Sequence, residues 1–404
     1  MNLIIHRGTQ EIGGSCVELK TDKTRILIDF GLPLDVEVQQ KPAYPEIQPD
    51  AILISHSHMD HYGLLSFSHP DIPVYMSQGA KELIEVSNIF TPNKTGKVNA
   101  HIVKPRKPFV VGGLTVTPYQ VDHSAFDALA FLIEGEGKRV FYSGDFRGHG
   151  RKSALFKMMV DRPPENIDCL IMEGSMLGRG KQEYNDEKEI EGRIGQILKE
   201  RKNITFLFAS SQNIDRIVSA YRACIKTDSV FVIDLYTAFI LDKLKKVSKG
   251  IPQFNWKNIR IKYLKSHADS LVNAGYRDLL YVYNKRKIDL FEINSMKNRV
   301  LMLARDNSFF QIAVKELDDV RGAKIIYSMW QGYLTDSFRQ YCAGKGLIIE
   351  HVHTSGHATI EDLQAFAGAL KPRVLIPIHI FEAKRYPELF KSVKILSDEE
   401  ECQL

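Results

Sequence analysis

The chain reads as an α/β protein in which one α/β domain is interrupted by another. The host runs over residues 1–200 and returns over 346–404, and the insert occupies 201–345. Three observations predict this. The first half is built of short apolar runs separated by turn residues. The middle begins with an apolar run at 204–208, an amphipathic stretch at 214–225 and a second apolar run at 230–234, the order of a βαβ unit in a parallel sheet. Charge divides at the same place: residues 201–345 carry 25 Lys and Arg against 13 Asp and Glu, so the net +5 of the whole combines a basic insert with a mildly acidic host.

The elements follow in order. Residues 17–19 and 25–29 flank Thr21-Asp22-Lys23, the pattern of a hairpin. Further strands are expected at 51–54, 74–76, 114–118, 130–133 and 139–142. A helix starts at the capping pair Asn185-Asp186 and runs to Leu198, with Ile190, Ile194, Ile197 and Leu198 on one face. In the insert, 324–327 is the expected last strand. In the tail, strands at 347–349 and 374–378 flank a helix over 360–370.

Composition narrows the class. At 404 residues the chain exceeds one average domain. With 44% hydrophobic and 25% charged residues it has the balance of a globular enzyme rather than a disordered or fibrous chain. Five cysteines without a C-x-x-C pair argue against a cysteine zinc site or a disulfide framework, so a reducing, cytoplasmic setting is expected. The apolar start is too short for a signal peptide, and no run of 18 apolar residues predicts a membrane span.

The densest chemistry is Ser55-His56-Ser57-His58-Met59-Asp60-His61, directly after the apolar run 51–54. Three imidazoles and a carboxylate at a strand exit need partners if they are to be buried. Neutral imidazole and carboxylate are ligands for zinc-like ions, which supplies that partner. The plainer reading is a histidine-rich surface loop.

The spacing H-x-H-x-D-H resembles the signature of the metallo-β-lactamase fold, and implies that fold's αββα sandwich for the host. Later strand ends match the fold's remaining ligand motifs: His123 in Val121-Asp122-His123-Ser124, Asp145 in Ser143-Gly144-Asp145-Phe146, and His379 in Ile376-Pro377-Ile378-His379. By this resemblance His56, His58 and His123 hold one divalent ion, Asp60, His61 and His379 a second, and Asp145 bridges them. Asp29 resembles the early aspartate that supports the site without coordinating. Two such ions hold a water as hydroxide near neutral pH and stabilise an attacked phosphoryl oxygen. Zinc is the first choice, and manganese is compatible with an all N/O set.

Three further features resemble the β-CASP nucleases, and among them the RNase J group. Glu173 ends the strand-like 170–172 run, His353-Thr354-Ser355-Gly356-His357 is a compact Ser-Gly-His loop, and His379 follows about twenty residues later. The basic insert lies where that group carries its β-CASP domain. The resemblance implies that Asp60, Glu173 and His357 are catalytic, with His357 contacting phosphate and protonating the leaving oxygen. It also implies that Ser355, Gly356, His357, Ser210 and Ser211 bind substrate. Two departures stand out: Ile380-Phe381-Glu382 follows His379 where Gly-Glu is usual, and the chain is expected to be a short form without the group's usual C-terminal domain.

In the insert, Lys257, Arg260, Lys262, Tyr263 and Lys265, and later Tyr281-Val282-Tyr283-Asn284-Lys285-Arg286-Lys287, interleave cations with aromatics. That composition suits single-stranded nucleic acid, although alternating Tyr is also ordinary strand packing. The expectation is a two-metal phosphodiesterase that hydrolyses single-stranded RNA, endonucleolytically or from the 5′ end. The alternatives are a DNA nuclease of the same architecture and a non-catalytic nucleic-acid-binding β-CASP protein.

Overall fold

A computed structural model describes residues 1–34, 45, 47–92, 94–180 and 182–404. The chain forms two compact units, Met1–Gly180 with Gly356–Leu404, and Lys181–Ser355.

The first unit is a four-layer sandwich. One sheet has the order Glu401–Gln403, Asn2–Arg7, Cys16–Lys20, Arg25–Ile28, Ala51–Leu53, Pro73–Met76, Asn99–Ile102. The other runs Val374–Ile378, Cys169–Glu173, Lys138–Tyr142, Leu129–Gly135, Leu114–Gln120, Phe109–Val111. Side chains alternate along each strand, so each sheet has two faces to bury. The inner faces meet through Leu3, Ile5, Val17, Leu19, Ile26 and Ile28 from one sheet and Val116, Phe131, Ile133, Val140 and Ile171 from the other. On the outer face of the second sheet, Phe141, Leu170 and Met172 pack under Leu363 and Phe366 of the helix Ile360–Leu370. On the outer face of the first, Ile52, Ile54 and Val74 pack under Ala80 and Ile84 of the helix Gln78–Phe90. The order helix, sheet, sheet, helix is the αββα arrangement expected of the host.

The expected hairpin is present, with Val17 opposite Ile28 and Lys20 opposite Arg25. The strands Lys138–Tyr142, Cys169–Glu173 and Val374–Ile378 are parallel. All five residues of Cys169–Glu173 are buried, which is why that strand reads as an apolar run and not as an alternation.

The second unit holds an all-parallel, seven-stranded sheet in the order Lys287–Ile288, Ile259–Lys262, Val230–Asp234, Val300–Ala304, Thr205–Phe208, Lys324–Tyr327, Ile348–His351. Its limits lie near 180 and 355 rather than near 200 and 345, for two physical reasons. The helix Glu187–Glu200, capped by Asp186, packs here through Glu187, which meets the fully buried Arg216 at 3.0 Å. The strand Ile348–His351, expected in the returning host, instead extends this sheet beside Lys324–Tyr327.

The Tyr281–Tyr283 alternation is helical, not extended. It lies in Arg277–Asn284, where Tyr283 is buried with its hydroxyl 3.2 Å from Asp242 and Tyr281 is exposed. Among the described residues, no helix is long and apolar enough to cross a membrane.

Candidate metal centre

The clustered polar residues of the first unit all follow strand ends. Ile54 continues the strand Ala51–Leu53 by donating its N–H to Tyr75. The chain then turns through His56 and His58 into the one-turn helix Met59–Tyr62, which carries Asp60 and His61. His123 follows Leu114–Gln120, Asp145 follows Lys138–Tyr142, Glu173 ends Cys169–Glu173, and His379 follows Val374–Ile378.

One oxygen lies at the middle of this set. Asp145 Oδ2 is 3.2 Å from His61 Nε2, 3.7 Å from His56 Nε2, 3.7 Å from His379 Nε2, 3.9 Å from His123 Nε2 and 3.6 Å from His357 Nδ1. On one side His58 Nδ1 lies 3.2 Å from His56 Nε2 and 3.3 Å from His123 Nε2. On the other, Asp60 Oδ2 lies 3.9 Å from His61 Nε2 and 3.8 Å from His379 Nε2. Two of the resulting triplets, His56 with His58 and His123, and Asp60 with His61 and His379, have ligand atoms close enough to hold an ion.

The donor chemistry fits a divalent cation. Buried polar atoms almost always have hydrogen-bond partners, yet the buried Nε2 atoms of His61 and His379 have none. Both rings are tied through their other nitrogen. His61 Nδ1 meets Asp29 Oδ2 at 2.8 Å, and His379 Nδ1 meets Ser15 Oγ at 3.0 Å and accepts from Gly13 N–H at 3.3 Å. Holding one nitrogen so that the other faces a metal is how ligating histidines are oriented.

Protonation follows the same logic. Burial pushes His56 and His123 well below the ordinary histidine value, His58 down to about 4, and His379 down, which favours the neutral, ligating form. Burial opposes a charge on His61 as well, but the carboxylates of Asp145, Asp29 and Asp60 prevail and raise it. Burial would raise Asp145, and the surrounding His379, His61 and His357 hold it well below the usual carboxylate range instead.

Supporting residues surround the candidate ligands. Asp29 accepts from the Ser55 amide, the Ser55 hydroxyl and the Tyr142 hydroxyl, each at 2.7 Å. It sits at φ 59°, and His379 at φ 53°, in the left-handed region that Asp and His tolerate better than most residues. His379 is fixed there by its N–H, donated to Gly8 O at 2.7 Å, and by its carbonyl, which accepts from Ser175 Oγ at 3.2 Å. Asp29 was legible as a strand-end aspartate. Ser15, Gly13 and Tyr142 were not, because nothing in their local sequence marks a partner more than a hundred residues away.

Glu173 and His357 adjoin the cluster. Glu173 is buried, accepts from the amides of Phe146 at 3.1 Å and Ser175 at 3.2 Å, and lies 3.2 Å from His357 Nδ1. Burial disfavours a charge on His357, but Glu173 and Asp145 raise it to about 9. Gly356 presents its carbonyl to His123 Nδ1 at 2.5 Å, and a Cβ there would lie 2.3 Å from Ser124 Oγ.

The other expected substrate residues lie in the second unit. Ser355 donates its amide to Gln182 Oε1 at 2.6 Å, and Thr354 donates its hydroxyl to the same oxygen at 2.8 Å. Ser211 is buried against Thr237 Oγ1 at 2.7 Å and also bonds Arg305. Ser210 is exposed, and its hydroxyl accepts from the Gln212 amide at 3.2 Å.

Comparison with known proteins relates two parts of the chain to described domains. Residues 24–190 match the beta-lactamase superfamily domain, and residues 346–379 match a Zn-dependent metallo-hydrolase RNA specificity domain. The chain is similar to an RNase J-like protein of Methanocaldococcus jannaschii, 24% identical over 64% of this chain and 63% of that one. It is also similar to Ribonuclease J of Helicobacter pylori strain B128, 20% identical over 92% of this chain and 55% of that one. The chain thus spans between half and two-thirds of the length of these relatives. A crystal structure of a protein of unknown function from Enterococcus faecalis V583 shares the fold, with a TM-score of 0.79, 20% identity and coverage of 100% of this chain and 99% of that one. The chain thus carries one segment that matches the beta-lactamase superfamily domain and another that matches the RNA specificity domain, and over most of its length it is similar to RNase J proteins.

Proposed function

We propose that this chain is a metal-dependent ribonuclease that hydrolyses phosphodiester bonds in single-stranded RNA. The observation that carries the reading is the convergence of five imidazoles on Asp145 Oδ2, flanked by two ligand triplets. The first ion would be held by His56, His58 and His123, the second by Asp60, His61 and His379, and Asp145 would touch both. A divalent pair, zinc by preference and manganese as the alternative, supplies Lewis acidity and a deprotonated water near neutral pH.

The chain's own residues do the rest. Asp60, whose Oδ2 lies 3.9 Å from His61 Nε2 and 3.8 Å from His379 Nε2, would hold the second ion through that oxygen and leave its other carboxylate oxygen to accept the proton of the attacking water. His357, with Nδ1 committed to Glu173, donates a proton from Nε2 to the leaving oxygen. Glu173 keeps that ring oriented. Ser355 and the backbone at Gly356 bind phosphate oxygens, and Ser210 and Ser211 form a second contact in the basic unit. RNA is favoured over DNA by the match of residues 346–379 to an RNA specificity domain. The five cysteines are free and buried, in keeping with a reducing, cytoplasmic setting.

The test uses matched single-stranded RNA and DNA carrying 5′-phosphate, 5′-triphosphate or 5′-hydroxyl ends, with Zn2+ or Mn2+ added. Metal-dependent cleavage of RNA is expected, and product sizes separate internal cuts from mononucleotide release. Equal or faster cleavage of DNA would reject the RNA assignment. No cleavage of either polymer with either metal would reject the enzyme reading.

A further inference from the structure

The glutamate beside His357 is held at its backbone as well as at its carboxylate. Glu173 Oε1 accepts from the amides of Phe146 at 3.1 Å and Ala358 at 3.4 Å. Its Oε2 accepts from the Ser175 amide at 3.2 Å and faces His357 Nδ1 at 3.2 Å. Three amides and an imidazole thus converge on one carboxylate. Behind it, the Glu173 amide donates to Ser143 Oγ at 3.1 Å, and the Tyr386 hydroxyl donates to the Glu173 carbonyl. The same phenol oxygen lies 3.4 Å from the Met172 carbonyl.

Tyr386 opens the short helix Tyr386–Leu389, which follows the His379 loop, and its side chain is completely buried. The ring lies in the cluster that holds Met172, Ile380 and Ala383, 4.8 Å from the centre of the Phe390 ring. A Phe would fill that volume equally well. Burying a hydroxyl costs free energy unless it is hydrogen-bonded, so a Tyr here is explained by what its oxygen does. Burial and the nearby Glu173 charge push its pKa well above the ordinary 10, so it stays a neutral donor.

The turn after Glu173 is closed over by the same segment. A Cβ on Gly174 would lie 2.4 Å from Ile380 Cδ1 and 2.9 Å from Tyr386 Cε2, so only bare backbone fits there. Ile380, one of the residues that stand where Gly-Glu is usual in the RNase J group, is itself buried. Ser175, at the far end of the turn, donates its hydroxyl to the His379 carbonyl at 3.2 Å. With its carboxylate committed to three amides, Glu173 has little freedom to absorb a backbone shift by changing rotamer. Such a shift passes on to the His357 ring.

We propose that Tyr386 is a positioning residue for the cleavage step: its hydroxyl fixes the Glu173 backbone, and Glu173 fixes the His357 ring that gives its proton to the leaving oxygen. As the P–O bond breaks, its electron pair stays on that oxygen, which takes the proton from His357 Nε2. The inference rests on the nuclease reading and adds to it a residue outside the candidate ligands.

Leaving-group chemistry separates the positioning of an acid from general damage. A ribose oxygen needs a proton as it departs, whereas p-nitrophenolate leaves without one. The experiment compares steady-state cleavage of a short single-stranded RNA with that of the p-nitrophenyl ester of thymidine 5′-monophosphate, using the full-length, zinc-loaded protein. Tyr386→Phe should lower kcat on RNA about tenfold with KM nearly unchanged, and leave the ester within about twofold of the parent. Its zinc affinity should equal the parent's. Ser143→Ala, which removes the other backbone support of Glu173, should show the same selective loss. Proton spectra give a second readout. The low-field signal of the His357 Nδ1–H, identified by its absence in His357→Ala, should move upfield in Tyr386→Phe. If Tyr386→Phe cleaves RNA like the parent with that signal unmoved, or loses RNA and ester equally, the positioning role is wrong while the nuclease reading stands. If the parent cleaves neither substrate, both fall.

Discussion

Arg147 is completely buried, and its Nε meets the Asp122 carboxylate at 3.4 Å beneath the two loops that present His123 and Asp145. The pair sits inside a tight wrap. The Arg147 N–H donates to Asp122 O at 2.7 Å, the Lys152 amide donates to Asp122 Oδ2 at 3.0 Å, and a Cβ on Gly150 would lie 2.4 Å from both partners. The same loop then donates the Gly148 N–H to Asp362 at 2.9 Å, in the helix that follows His357. One segment thus braces three loops of the centre.

Removing half of a buried ion pair leaves the other charge without its partner, at a cost of about 3–5 kcal/mol. Arg147→Met should therefore lower the urea midpoint strongly. Asp122→Asn combined with Arg147→Met should recover part of the loss, since the remaining side chain is neutral and can still accept from Lys152. A single variant as stable as the parent would show that the pair does not brace the loops.

Asp145→Asn replaces the carboxylate on which five imidazoles converge. Metal content by elemental analysis should fall below that of the parent, and RNA cleavage should drop by more than about a hundredfold. Full metal content with full activity would remove Asp145 from the centre.

The Ser15 hydroxyl holds His379 Nδ1 at 3.0 Å, while its amide donates to the Asp60 carbonyl at 2.9 Å, a bond that a change of side chain leaves in place. Ser15→Ala should weaken metal binding by about 10–100-fold, the usual effect of losing such a support, with little change in the melting temperature of the metal-free protein. The check is a competitive titration with a chromophoric chelator, in which an unchanged affinity would count against the support role.

Gly31 packs against the one-turn helix of the histidine run. A Cβ there would sit 1.8 Å from the Asp60 carbonyl oxygen, so Gly31→Ala must displace backbone. Destabilisation of at least about 1–3 kcal/mol is expected from overpacking, together with reduced metal content. The same substitution at Gly368, where a Cβ meets nothing within 4 Å and the backbone is an ordinary helix, tests whether the effect is steric contact and not the change of residue alone.

His6 lies between two carboxylates, 2.9 Å from Glu18 and 2.9 Å from Glu399. Burial favours its neutral form, but the hydrogen bonds and charges of Glu18 and Glu399 outweigh it and raise the pKa above the ordinary 6.5. Burial likewise opposes the Glu18 charge, and His6 and Arg25 hold its pKa below the ordinary 4.5. The His6 contribution to stability is full below pH 6.5 and is lost as pH rises through the raised value. The Glu18 contribution is full above pH 4.5 and is lost as pH falls through the lowered value. Urea midpoints should therefore show this pair's contribution greatest between those limits and falling on the alkaline side. His6→Gln should abolish the alkaline fall, and an identical pH profile in the variant would contradict the linkage.

Residue type and local spacing made the candidate ligands legible. H-x-H-x-D-H declares its chemistry within six residues, and an Asp or His after an apolar run marks a strand exit wherever it occurs. The αββα layering of the host was readable for the same reason, because alternation and apolar runs are short-range patterns. Limits between the units were less so. Glu187 and Ile348 join the second unit through partners at Arg216 and Lys324, and no local signal reports such a pairing. The Tyr281–Tyr283 alternation left the local structure open, because two residues at period 2 cannot distinguish a strand from a helix that buries one of them.

From the sequence alone came the set of residues able to bind metal, the basic character of the insert and the class of fold. Which atoms converge was decided only when the chain closed on itself. Gly13 and Ser15 meet His379 across more than 360 residues, Asp29 gathers Ser55, Tyr142 and His61, and Asp122 buries Arg147. These contacts depend on strand order and register, which arise from the burial of both sheet faces together. A ligand is recognised by what it is, and its support by where the fold puts it.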